Sequence, residues 1–217
     1  MNVDFRNISN EEAKEIALNT MMEIKDVVIS TVDFNGNPIS RIIDLMFRDK
    51  DSLYITTCKV KPFYRQLKMN NNIAITVMTK DYLQVRLQAK CEEIGGEVLN
   101  TILEKNPSFA DLGLVRKDLN NMTYFCINKG KGEIFDLNGD ITKVQRARFD
   151  FGGGVVEKAG CLITDKCINC TKCAKACPFD AISKGEKQHI INSNLCDECG
   201  ICYYICPVEA INIPSGM

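Results

Sequence analysis

Apolar and polar positions change period along this chain, and each change predicts a different kind of element. Near the N-terminus Ala13, Ile16, Ala17 and Met21 recur at helical steps behind Ser9 and Glu12, which stand at capping-box spacing, so residues 10–23 are predicted to form a helix. From Asp26 the period shortens to that of strands. Residues 27–32 and 39–45 flank Asn35-Gly36-Asn37-Pro38, a hairpin signal. A polar turn from Arg48 to Ser52 leads to a strand at 53–57, and Lys61 to Leu67 reads as a short helix with Pro62 in its first turn. Strands are predicted at 73–78 and 82–91, a helix from Glu97 to about Lys105, a helical and irregular stretch through Leu119, and strands at 123–127 and 132–137. Short strands at close spacing with few helices predict an antiparallel barrel.

Beyond that point the pattern belongs to cysteine. Cys167, Cys170, Cys173 and Cys177-Pro178 follow a C-x2-C-x2-C-x3-C-P spacing, which returns 29 residues later in Cys196, Cys199, Cys202 and Cys206-Pro207. Ala181-Ile182 and Ala210-Ile211 follow the two runs, marking an internal duplication. Zinc sites usually pair two C-x-x-C units across a loop, whereas thiolates at steps of three suit the face of an iron–sulfur cubane. The stretch 160–214 resembles bacterial two-[4Fe–4S] ferredoxins. That resemblance implies that each cluster takes its fourth ligand from the other run, so that Cys167, Cys170, Cys173 and Cys206 hold one cluster and Cys177, Cys196, Cys199 and Cys202 the other. It also implies low potentials and one electron per cluster. Cys58, Cys91 and Cys126, in or beside strands, read as buried small hydrophobes, and Cys161 lies outside the ligand spacing.

Composition sharpens this reading. The chain has 217 residues, 45% apolar and 25% charged, with a formal net charge of -1, so it has neither the basic excess expected of a nucleic-acid binder nor an apolar run long enough for a membrane span. Twelve cysteines without an apolar N-terminal segment argue for a reduced, cytoplasmic protein with metal-bound thiolates. The domains expected are a barrel over 1–142, a linker over 143–160 that contains Gly152-Gly153-Gly154, and a cysteine domain over 161–217. The only histidine, His189, lies in the last of these, which leaves the barrel without a histidine ligand for haem or a histidine-based triad.

The barrel residues carry a second resemblance. Gly36-Asn37-Pro38-x-x-Arg41, Leu53-Tyr54-Ile55-Thr56-Thr57, Lys61 through Gln66-Leu67, Asn70 and Gln84-Val85-Arg86 resemble the flavin-binding split barrels of the pyridoxamine-5′-phosphate-oxidase-like superfamily, including its nitroimidazole-reductase branch. The resemblance implies an FMN whose phosphate is gripped by Arg41 and Lys61 with Thr57. Ile42, Ile43 and Asp44 would run along the isoalloxazine, Thr56 would bond its polar edge, and Gln84 and Arg86 would reach it across a homodimer boundary. The expected fold class is thus a mostly β split barrel, antiparallel with a few helices, followed by a small α+β ferredoxin-type 2[4Fe–4S] domain.

The expectation is an FMN- and iron–sulfur-dependent oxidoreductase. Its clusters take electrons singly from an external low-potential donor, and its flavin reduces a small substrate such as a nitro compound, quinone or flavin. The alternative is an electron-transfer protein that shuttles between partners without a small-molecule substrate of its own. The sequence assigns no acid–base catalytic residue.

Overall fold

The computed structural model describes residues 4–111, 121–138, 143–156 and 160–213. Helix α1 (Asn10–Ile24) starts at the capping box: the Ser9 hydroxyl accepts the Glu12 N–H, and the Glu12 carboxylate accepts the Ser9 N–H at 3.0 Å. Both free donors at the helix start are thereby satisfied by neighbouring side chains. Its apolar stripe, Ala13, Ala17, Leu18 and Met21, is fully buried.

The strands are β1 (Asp26–Val32), β2 (Pro38–Asp44), β3 (Phe47–Asp49), β4 (Ser52–Cys58), β5 (Asn72–Met78), β6 (Leu83–Ile94), β7 (Met122–Asp136) and β8 (Arg146–Phe151). They form one eight-stranded antiparallel sheet in the order β2-β1-β5-β6-β7-β4-β3, with β8 paired to β7. Alternate residues such as Val27 and Ile29, Ile73 and Ile75, and Val85 and Leu87 point inward to a core that also takes α1. Helix α2 (Pro62–Met69) packs on β1 and β4, bridging the two ends of the curled sheet. The expected antiparallel split barrel with few helices is therefore observed, as a curled half-barrel. The expected helix at 97–105 is a 3-10 turn (Gly96–Val98) continued by α3 (Leu99–Lys105), and α4 (Pro107–Asp111) follows. The rest of the stretch expected to be helical and irregular, residues 112–119, lies outside the described residues.

Three details differ from the periodicity. The polar turn after Arg48 is preceded by a short strand, β3, whose Phe47 stacks on Tyr54 of β4 at 4.1 Å between ring centroids. The segment Asn128-Lys129-Gly130-Lys131, which reads as a break between two strands, is the middle of the single 15-residue strand β7. Gly130 and the next glycine serve close packing: a Cβ at Gly132 would lie 2.4 Å from the Phe149 ring. Finally, residues 146–151 of the expected linker are strand β8, with Ala147, Phe149 and Phe151 turned into the core and Arg146, Arg148 and Asp150 alternating with them. The charged positions hide an alternation that the burial pattern makes plain.

The C-terminal unit is built twice over. Two five-residue helices, α5 (Lys172–Ala176) and α6 (Ile201–Ile205), accompany two short antiparallel pairs, β9 (Leu162–Ile163) with β12 (Ile211–Asn212) and β10 (Ile182–Lys184) with β11 (His189–Ile191). The unit sits on its own barrel. Phe179 and Ala181 are buried in the barrel's core cluster, with Cys177, Leu195 and Cys196 packed against it. A polar clamp completes the contact: Asp197 accepts the Gln145 N–H at 3.1 Å, and Glu198 is held by Arg146 at 2.9 Å and Arg148 at 2.8 Å. Both arginines also reach Glu133, at 3.1 and 3.3 Å, and Glu133 is 1% exposed and further paired with Arg86.

A carboxylate buried this deeply is tolerable only with cations against it, and its loss leaves guanidinium groups unpaired. Glu133→Ala is expected to cost about 3 kcal/mol in denaturant unfolding and to speed proteolysis between barrel and C-terminal unit. Unchanged stability and cleavage would show that the clamp contributes nothing.

Candidate metal centres and barrel cleft

The eight cysteines of the two runs gather around two small cavities of equal size, each of about 10 Å³. Cys167, Cys170, Cys173 and Cys206 line one, together with His189 and Ile211. Cys177, Cys196, Cys199 and Cys202 line the other, together with Cys161 and Ile182. The crossing of the fourth cysteine, expected from the resemblance, is thus the grouping the fold produces. The two sets differ in surroundings: Cys177 and Cys196 of one set pack against the barrel core, and Cys173 and Cys206 of the other lie in a small separate cluster that also takes in Cys161, Cys202 and Ile211.

The loops around these cavities suit an anionic metal–sulfur group. Asn169, Thr171 and Asp180 have φ of 56°, 65° and 50°, and their equivalents 29 residues on, Glu198, Gly200 and Glu209, have 55°, 78° and 50°. Left-handed residues at matched points turn successive backbone N–H groups inward, making a nest for negative charge. The Asn169 N–H donates to Cys167 Sγ at 3.4 Å and the Ala210 N–H to Cys206 Sγ at 3.3 Å. Both bonds serve the set of Cys167, Cys170, Cys173 and Cys206, and the matched left-handed turns suit four thiolates and their cluster in each cavity.

The sequence reading leaves Cys161 outside the ligand pattern. It is 2% exposed and lines the cavity of Cys177, Cys196, Cys199 and Cys202. Its thiol beside them holds the Cys196 thiol down to about 6 and the Cys202 thiol down to about 7, and is itself pushed up. Burial pushes Cys173 and Cys199 up. The other cysteines behave as packing groups: burial pushes the Cys91 and Cys126 thiols up, and Cys58 Sγ meets Met122 Sδ at 3.3 Å. Glu198 and Asp197, lying between Cys196 and Cys199, also escaped the sequence reading. In sequence they are two ordinary acidic loop residues.

In the barrel, Arg41 on β2 turns toward α2. Its guanidinium donates to Thr31 Oγ1 at 2.8 Å and Gln66 Oε1 at 2.7 Å and lies 4.6 Å from the Phe63 ring centroid. Every one of these contacts is neutral, and burial lowers its pKa without any acidic partner acting on it. A half-buried guanidinium beside the first turn of α2 is open to a further anion. Thr31 was missed because it reads as an ordinary strand position, and Phe63 and Gln66, within the stretch that carries the barrel resemblance, were given no role because each reads as an ordinary helix position. Lys61 caps α2 and is exposed; Thr57 is the next-to-last residue of β4; the Thr56 hydroxyl is taken by the Thr123 carbonyl at 3.0 Å. Ile42 and Asp44 lie on the outer sheet face while Ile43, like Arg41, is half-buried on the inner one. Gln84 and Arg86 lie on β6, three strands from β2 in the sheet order, with Arg86 committed to Glu133. One chain by itself does not bring them to Arg41. A separate cleft of about 610 Å³ runs along β1, β5, β6 and β7, lined by Ser30, Asn72, Gln88, Lys90 and Lys129.

Fold and cavities define an iron–sulfur protein made of a split barrel and a dicluster ferredoxin-type unit. Residues 161–213 match the family of 4Fe-4S dicluster domains. Ferredoxin YfhL of Escherichia coli is 50% identical over 46 residues, covering 21% of this chain and 52% of the relative. Ferredoxin-2 of Chlorobaculum tepidum is 42% identical over 45 residues, covering 21% of this chain and 71% of the relative. Through this unit the chain belongs to the 4Fe–4S dicluster ferredoxins. It spans about half the length of the first curated relatives it matches, 52% in each case.

Among solved structures, a NimC/NimA family protein from Clostridium acetobutylicum has a TM-score of 0.55 at 22% identity, covering 65% of this chain and 94% of that one. A protein related to general stress protein 26, of the pyridoxinephosphate oxidase family and from the same organism, has 0.50 at 18%, covering 65% and 96%. A heme binding protein from Mycobacterium smegmatis has 0.51 at 11%, covering 70% and 64%. At such identities the likeness shows the split-barrel fold and nothing finer.

The Asp44 carboxyl pairs across the sheet with Asp26, and this hydrogen bond, aided by burial, pushes its pKa up. A folded-state pKa above the unfolded value stabilises at acid pH, and that contribution is lost as pH rises through the folded pKa. Asp44→Asn is expected to be about 0.5 kcal/mol more stable than the parent near pH 7 and no more stable at pH 3, by thermal unfolding at both.

Proposed function

We propose that this protein is an iron–sulfur electron-transfer protein whose two clusters form a relay ending at the barrel. The observation that supports it is the pair of four-thiol cavities, one of which has two of its cysteines, Cys177 and Cys196, packed against the barrel core. In this reading Cys167, Cys170, Cys173 and Cys206 ligate an outer cluster, and Cys177, Cys196, Cys199 and Cys202 an inner one. Each cluster, when bound, takes up and passes on one electron at a time. The chain's own residues aim backbone N–H groups at the sulfurs and, through Glu198, Arg146 and Arg148, hold the inner set against β8. Lys166, Lys172, Lys175, Lys184 and Lys187, against Asp165, Asp180 and Glu186, give residues 160–189 a positive surface that suits an acidic external redox partner.

Protein purified without oxygen is expected to carry about eight irons per chain. Once reduced, it should pass electrons to a one-electron protein acceptor in a single turnover with no small molecule present. Iron well below that level, or electrons released only to nitro compounds or quinones, would overturn the relay.

Arg41 supports a second, larger reading, in which the barrel holds FMN and the relay feeds reduction of a small substrate. The flavin, when bound, collects single electrons and delivers two together. Arg41 and Lys61 would hold its phosphate with Thr57, and Ile42, Ile43, Asp44 and Thr56 would line its ring. Ile42, Val28, Thr76 and Arg86 stand in one row across the outer sheet face, with Ile42 68% exposed. A second copy docked there would bring Gln84 and Arg86 to its partner's flavin, so this reading requires a homodimer. Arg41→Ala is expected to lower bound flavin at least about tenfold in protein purified from flavin-supplemented cells, the loss of one charge-assisted pair. Undiminished flavin would refute the phosphate assignment.

A further inference from the structure

Among the described residues, Arg41 carries its charge with no carboxylate bonded to it. Arg48, Arg86, Arg146 and Arg148 are likewise partly withdrawn from solvent, and each of them holds a glutamate. Arg41 holds a hydroxyl and an amide instead. A guanidinium taken out of water usually brings a counterion with it, because removing one partner of such a pair leaves a costly lone charge. At Arg41 the described chain supplies no such partner.

What it does have is a closed ring of three hydrogen bonds. Arg41 donates through Nη1 to Thr31 Oγ1 at 2.8 Å and through Nη2 to Gln66 Oε1 at 2.7 Å, and the Thr31 hydroxyl donates to that same Oε1 at 2.7 Å. The roles are fixed by chemistry. A guanidinium cannot accept, so the Gln66 atom that meets it is the carbonyl oxygen, and Thr31, accepting from Arg41, spends its own proton on that oxygen. Thr31 is 4% and Gln66 6% exposed, and the Phe63 ring lies 4.6 Å from the guanidinium carbon. The ring is thus held from several sides, while each terminal nitrogen of Arg41 keeps one N–H that the ring does not use. The first turn of α2, which supplies Phe63, contains no acidic residue, and its cap Lys61 makes no side-chain bond to it. Gln66 is the member that decides the charge. A glutamate of the same length would place a carboxylate oxygen where Oε1 now meets Arg41 and would cancel the cation, whereas the amide orients it and leaves it charged.

We infer that Gln66, with Thr31, is a positioning residue that keeps Arg41 aimed and free of any carboxylate, and so makes the barrel prefer a phosphorylated flavin to an unphosphorylated one. This inference rests on the reading in which the barrel holds FMN, and it names the group that sets the preference of that site. Gln66 acts through Arg41 and does not itself touch the phosphate. Riboflavin differs from FMN only in lacking the phosphate, so the ratio of the two affinities reports the charge that Arg41 offers and is indifferent to a general loosening of the barrel.

The test is equilibrium dialysis of the full chain, purified without oxygen and freed of flavin, against FMN and against riboflavin, with the unfolding temperature measured alongside. Gln66→Glu is expected to unfold no lower than the parent and to bind riboflavin as the parent does, while its preference for FMN falls about tenfold, the loss of one charge-assisted pair. An unchanged FMN-to-riboflavin ratio in Gln66→Glu would overturn the inference. If that variant does not fold, Thr31→Val decides: it removes the acceptor of Arg41 Nη1, should lower the ratio about threefold, and refutes the inference if the ratio stays. In an Arg41→Ala background Gln66→Glu should change the ratio no further, and a further loss there would put Gln66 on the ligand and overturn its positioning role. A parent that binds neither flavin, or both alike, defeats the FMN reading itself, so the two failures are distinct.

Discussion

Glu198 is the group on which the arrangement of this molecule depends. It sits between two cysteines of the second run, yet its carboxylate is bound by Arg146 and Arg148 of the barrel and by the Gly160 N–H. Three tasks meet in one side chain: it docks the C-terminal unit, shapes the loop that presents Cys196 and Cys199, and holds the segment bearing Cys161. Charge-assisted bonds of this kind are directional, so they determine orientation as well as contact. Behind them, buried Glu133 draws Arg86, Arg146 and Arg148 together, and the same network extends from the inner cavity to the outer face of the barrel.

The apolar part of the interface acts with that clamp. Phe179 and Ala181, just after the first cysteine run, are buried in the barrel core, so a loop that shapes one cavity also closes the barrel. Burying such side chains supplies non-directional attraction, and the arginine–carboxylate pairs select one docking among many. The result is an asymmetric setting for two nearly symmetric cavities. Duplication makes the cavities alike, and attachment to the barrel makes them differ.

Much of the fold was legible in the sequence, and the exceptions are instructive. The capping box of α1 and the hairpin of β1 and β2 are local signals, complete within a few residues, and both appear as read. The continuity of β7 and the existence of β8 were not legible. In β7, Gly130 and Gly132 look like a turn, but they are glycines because Gln88, Leu87 and Phe149 approach from neighbouring strands. In β8, Arg146 and Arg148 look like linker charges, but they alternate with core residues and face carboxylates distant in the chain.

What the sequence determined by itself was the cysteine chemistry and the two classes of element, because ligand spacing and hydrophobic period are properties of adjacent residues. The tertiary structure decided which thiols share a cavity, which cavity meets the barrel, and where Arg41, Cys161 and Glu198 point. Each of those depends on groups far apart in the chain: Arg41 with Gln66, Glu198 with Arg146 and Arg148, Cys161 with the cysteines of the inner cavity. Such pairings form only when the sheet has curled and the duplicated unit has docked. No local pattern can encode them, because the partner of each group is supplied by the fold.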